Sequence, residues 1–263
     1  MKKAWFLALK EWKEILRDIY VLGILIFLPL ITVATLVMLI SFYIGFFQNN
    51  LDKIQTLLEN MPAAYLEGLS HYEDLQKVAV LPIRVIGLPF FLLLPLLISG
   101  IITSDSFAGE RERNTLETLL VTPIKDWELL LGKILTPFLP ALMITWLSFA
   151  LLTKGLARII NSYFESPIFP DAIWILSMIC VVPLFIAGSV LAEILISSRV
   201  ASVKGASALN MFLTLPVLFL MLTQSSGFVL FSFETLPWMI GILVLAVAGL
   251  FYWGLKLFKR DVG

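Results

Sequence analysis

The sequence predicts an all-α integral membrane protein with six transmembrane helices, and three observations carry that reading. Hydrophobic residues make up 59% of the chain and charged residues 14%, at a mean hydropathy of +0.95, far from the balance of a soluble domain. Apolar runs of the ~20 residues needed to cross a bilayer recur along the chain. One long polar stretch, Ser104–Lys133 (SDSFAGERERNTLETLLVTPIKDWELLLGK), has a membrane-length apolar run on each side. The balance of 19 basic against 19 acidic residues gives no sign of a nucleic-acid partner. Cys180 is the one cysteine, so there is no intrachain disulfide and the compartment cannot be read from cysteine usage. The one histidine, His71, argues against a histidine-built metal site and reads as a solvated loop residue.

The chain opens with KKAWFLALKEWKEILRD. At helical spacing Trp5, Leu9, Trp12 and Leu16 form one stripe, and Lys10, Lys13, Glu14 and Arg17 cluster on another side. Residues 1–18 are therefore expected to form an amphipathic helix in the cytoplasmic interface, with its tryptophans at headgroup level. A cleavable signal would need an apolar core and a small-residue cleavage site, and neither is present, so the segment is expected to stay attached.

No charge interrupts Ile19–Leu51, which places the first span near 20–47, with Pro29 as a candidate kink. Gln48–Pro82 is polar and carries five acids, Asp52, Glu59, Glu67, Glu73 and Asp74. It reads as a solvated outer loop in which Leu51, Ile54, Leu57 and Leu58 have the spacing of a short surface helix. The second span lies near 85–103, contains Pro89 and Pro95, and has Arg84 at its outer end. The third occupies about 134–152 with Pro137 and Pro140, and Lys154–Asp171 reads as an outer loop. The fourth covers 172–192, after which Glu193, Arg199 and Lys204 bracket an inner loop. Between Lys204 and Glu234 lie 29 uncharged residues, ~44 Å if wholly helical, too long for one span and too short for two. A fifth span over 206–224, a break at Ser225–Gly227, a re-entrant Phe228–Phe233 and a sixth span over 237–255 account for them.

Orientation follows from basic residues. With the amino terminus inside, inner segments hold 14 Lys and Arg against 5 outside, as the positive-inside rule demands. Ser104–Lys133 is then cytoplasmic, and so are both termini.

That central stretch contains two helix starts. Asn114 can cap a short helix with Glu117 reaching back to the cap amide, which puts Leu116, Leu119 and Leu120 on one face. The rod spans about 8 residues, ~12 Å. Thr122-Pro123 ends it and starts the next helix, since proline has no amide to lose at a first helical position. Glu110-Arg111-Glu112-Arg113 is a mixed-charge cluster just before the rod.

Taken together, E-R-E-R-N-T-L-E-T-L-L-V-T-P-I followed by E-L-L-L-G-K resembles the intracellular segment of the ABC-2 type transporter permeases, the membrane subunits of ATP-driven exporters. The match is close over about thirty residues; elsewhere it rests on size and span layout. The chain departs at Asn114, where glycine is usual, but asparagine also caps helices and tolerates left-handed backbone.

The resemblance implies a single permease domain that forms half of a translocation pathway in the cell membrane. It implies a second permease subunit, identical or related, and separate ATPase subunits that bind ATP and Mg, with no cofactor in this chain. It also implies that Thr115–Val121 inserts into a groove on the ATPase. The residues it marks for coupling are Glu110, Arg111, Glu112, Arg113, Thr115, Leu116, Glu117, Leu119, Leu120, Thr122 and Pro123. Export of a drug, an ion, lipid-linked material or a peptide is open.

Other chemistries are absent from the sequence. The Gly132-Lys133 pair lacks the upstream glycine and the hydroxyl residue of a phosphate-binding loop, and there is neither a nucleophile elbow nor a His-Glu-x-x-His helix. Acids and bases are expected only at the ends of the spans, whereas ion-coupled carriers usually place them at mid-depth. Hydroxyls and Asn210 within the spans read as interhelical hydrogen-bonding groups, and no substrate residue is assigned. An ion-coupled carrier and a non-transporting membrane anchor are the alternative readings.

Overall fold

A computed structural model describes residues 2–50, 52–61, 66, 69–70, 72–112, 126–164, 169–200, 202–225 and 232–257. The helices are α1 (Lys2–Ile15), α2 (Ile19–Gln48), α3 (Asp52–Glu59), α4 (Asp74–Ser104), α5 (Asp126–Tyr163), α6 (Ala172–Ser197), α7 (Val203–Met211), α8 (Thr214–Ser225) and α9 (Leu236–Leu257). Among the described residues, six spans are long and apolar enough to cross a membrane: α2, α4, α5, α6, the broken pair α7–α8, and α9.

α4 is the most buried of the spans and α9 the least. α5 packs against α1, α2, α4 and α6, so that α4, α5 and α6 form the centre of the bundle. At one end they are held by an aromatic cluster. The Trp174 ring, fully buried, stacks on Phe149 at 5.8 Å and 7° and meets Phe91 edge-on at 5.8 Å, geometries that aromatic quadrupoles favour. Gly87 packs closely beside it: a Cβ there would lie 3.3 Å from the Trp174 ring, tighter than ordinary contact. Next to this cluster Asp171 caps α6 by accepting from Trp174 N at 3.0 Å and pairs with Arg84 of α4. Arg84 thus ties two spans together at one end of the bundle.

Prolines inside spans free backbone carbonyls, and the structure shows how two of these are satisfied. Pro140 has no N–H for Thr136 O, which instead accepts the Trp12 indole of α1 at 2.9 Å. Around the π-helical turn Ser177–Val181 the Val182 amide donates to Ser177 O, which leaves Met178 O without Pro183 as a donor; the Trp146 indole fills the place at 3.1 Å. In hydrocarbon an unpaired carbonyl costs several kcal/mol, so each indole both satisfies a backbone defect and joins two helices.

Several expectations change. Lys154–Asp171 is not wholly a loop: α5 continues to Tyr163, because Leu152, Leu156 and Ile160 are buried at helical spacing while Lys154 faces outward. In α1 the buried face is Leu7, Ala8, Glu11 and Ile15, turned away from the predicted stripe, of which Trp5 and Leu16 are exposed and Leu9 and Trp12 half-buried. The apolar arc is wide enough that one edge packs on α5 and the other stays exposed.

The largest correction concerns Glu193. It does not bracket a loop: it lies within α6, fully buried, with Ser99 and Thr103 of α4 against its carboxyl. The described residues between α6 and α7 are 198–200 and 202, and Ser202 caps α7 by accepting from Gly205 N at 3.2 Å. The fifth span is interrupted at Phe212–Leu213. His71, Glu67 and most of the proposed re-entrant stretch lie outside the described residues.

Candidate functional site

The central hydrophilic stretch enters from α4 through a π-helical turn, Asp105–Gly109, and a short helical turn, Glu110–Glu112, and leaves through α5. Of the residues marked for coupling, Glu110, Arg111 and Glu112 are among the described ones. Arg113, Thr115, Leu116, Glu117, Leu119, Leu120, Thr122 and Pro123 lie outside them.

Where the two ends of the stretch come together, a buried polar junction forms. The Lys133 ammonium of α5, with a side chain only 1% exposed, lies 2.7 Å from Glu11 Oε1 of α1 and 2.8 Å from Glu110 Oε2. It also donates to Ser106 O at 2.8 Å and approaches Ser106 Oγ at 3.1 Å. Ser106 Oγ in turn donates to Glu11 Oε2 at 2.6 Å. Burial pushes the Glu110 carboxyl above the usual carboxylate range, opposed by the neighbouring Lys133 charge. Two carboxylates share one ammonium, so removing the cation would leave like charges facing each other away from water.

Glu112 makes a further link: its Oε2 accepts from Val203 N at 3.1 Å at the first turn of α7. A carboxylate there meets an amide that the helix itself cannot use. The residues flanking the central stretch are therefore fastened to α1, α5 and α7 together.

Sequence reasoning selected Glu110 and Glu112 but missed the roles of Glu11 and Lys133. Lys133 was legible only as the last residue of the E-L-L-L-G-K match. Glu11 had a signal: it falls four residues after Leu7 and four before Ile15, an acid on what becomes the packed face.

An all-helical bundle with six membrane-length apolar helices and a buried polar junction at the root of its central hydrophilic stretch is a multi-pass membrane protein. The sequence model of the family described as ABC-2 family transporter protein matches residues 5–257. The chain belongs to that family, whose members are membrane subunits of transporters and not themselves catalysts. A comparison with curated proteins finds no match.

Proposed function

We propose that the chain is the permease subunit of an ABC exporter, forming half of the translocation pathway and driven by ATP hydrolysis in a separate subunit. The observation that carries this reading is the junction of Glu11, Glu110 and Lys133, which fastens both roots of the motif-bearing stretch to each other and to α1. A rod held by such roots acts as a lever: a partner that moves it moves α4 and α5 with it. In this reading ATP and Mg are bound by the partner, two permease subunits pair, and the membrane is the cell membrane with both termini cytoplasmic.

Hydrolysis tests the division of labour. The purified chain is expected to show no ATPase activity, since it carries no phosphate-binding loop. Turnover should appear when an ATP-binding cassette protein encoded beside it is added. Hydrolysis by this chain alone, persisting after stringent purification, contradicts the reading.

Orientation has its own test, resting on the 14-to-5 distribution of basic residues. In a Cys180→Ser background, cysteines at Glu67 and Asn161 should react with an impermeant thiol reagent applied to intact cells, and those at Thr122 and Arg199 should not. Labelling at Thr122 from outside removes any route to a cytoplasmic ATPase.

One observation favours a second reading. Buried Glu193 supplies the kind of acid within a span that ion-coupled carriers use. Uptake or efflux driven by an ion gradient without ATP would support it.

A further inference from the structure

Ser99, Thr103 and Ser104 of α4, Glu193 and Ser197 of α6, and Asn210 of α7 form a polar cluster sealed from solvent. Close approach is possible because Gly100 faces it: a Cβ there would already touch Glu193 Oε1 at 3.5 Å and Asn210 Cβ at 3.8 Å. Asn210 Nδ2 donates to Ser104 Oγ at 3.0 Å, and Ser104 passes its own proton to Gly100 O at 2.7 Å. Thr103 Oγ1 donates to Glu193 Oε2 at 3.1 Å.

The remaining carboxyl oxygen faces a hydroxyl with two claims on it. Ser99 Oγ lies 2.8 Å from Glu193 Oε1 and 3.1 Å from Leu96 O, yet a serine carries one proton. If that proton goes to Leu96 O, the contact with Glu193 requires a proton from the glutamate. No ion pair reaches Glu193 among the described residues. α4 carries no charge from Val85 to Ser104, and α8 carries none; the turn after α4 has Asp105, and α5 brings Lys133, engaged with Glu11 and Glu110. α7 offers only Lys204, which is exposed, and α9 only Tyr252 and Lys256. An isolated carboxylate in such surroundings costs far more than taking up a proton.

We propose that Glu193 is a proton-binding site within the membrane domain, its carboxyl held uncharged, donating to Ser99 and accepting from Thr103, so that the bound proton fastens α6 to α4. Binding adds H⁺ to the carboxylate and nothing else. Release places an unpaired charge between the helices and loosens them, which gives the permease a proton-dependent contact separate from its cytoplasmic junction.

Infrared spectroscopy of the purified full-length chain in lipid nanodiscs reads the proton directly and involves no ATPase, so its outcome is independent of the exporter assignment. At neutral pH the wild type should show the carbonyl band of a protonated carboxylic acid, which Glu193→Gln removes. Thr103→Val, which deletes the donor to the carbonyl oxygen, should move that band to higher frequency, and this holds even if the glutamine variant folds poorly. Thermal unfolding supplies a second readout. Glutamine keeps both hydrogen bonds without the titration, so Glu193→Gln should melt at or above the wild type at neutral pH and change less than the wild type as pH is raised from the ordinary carboxylate range to alkaline values. Absence of the band at neutral pH, a band unmoved by Thr103→Val, or a glutamine variant that melts far below the wild type would each overturn the proposal.

Discussion

Replacing Lys133 with methionine should destabilise the permease by about 3–5 kcal/mol, the range found when one partner of a buried ion pair is removed. Methionine fills similar space, so the loss is electrostatic rather than a cavity. Glu11 and Glu110, now held at 2.7 and 2.8 Å from the ammonium, would face each other with no cation between them. Ser106 would also lose the donor to its carbonyl. Glu11→Gln and Glu110→Gln added in the same chain should restore most of the stability, because the orphaned charges are then gone. Thermal unfolding of the three proteins in one detergent measures both effects. If Lys133→Met melts like the wild type, the junction does not hold the roots of the central stretch. If the triple variant is no better than the single, something other than charge is responsible.

The spans were legible because a run such as Ile19–Leu51 needs no partner to be understood: its uncharged length alone sets where it lies. Their ends were less so. α5 passes Leu152 into residues that look polar in linear order, and only the period of Leu152, Leu156 and Ile160 shows the helix continuing. Contacts between distant residues were not legible at all. Trp12 meets Thr136 O because Pro140 leaves that carbonyl free, a fact about two helices that a hydropathy scan cannot contain. Glu193 misled for a related reason. Near the end of an apolar run it resembles the start of a loop, and only the hydroxyls of α4 show that it stays inside. Of the coupling stretch, the motif was legible where the packing was not: Glu110 and Glu112 were marked by pattern, whereas Glu11 joins them from more than ninety positions away, as its bond to Ser106 records.

The largest functional effect is expected from the rod between those roots. Leu119 and Leu120 share a face with Leu116 when the stretch is helical, and in our account that face docks into the ATPase. Aspartate at either position places a charge in a desolvated contact, which costs several kcal/mol unless a partner charge compensates. A loss of 4 kcal/mol corresponds to about a thousandfold in affinity, enough to separate the subunits at ordinary concentrations. In our account these residues lie outside the hydrocarbon, so insertion and span number should not change, unlike a charge placed within a span.

Co-purification of the ATPase with Leu119→Asp and Leu120→Asp, followed by transport-linked ATP hydrolysis in liposomes, is therefore the most direct test. The account predicts that both variants insert normally, lose the ATPase and lose coupled hydrolysis. Normal binding together with normal coupled hydrolysis in both would mean that the rod is not the coupling element.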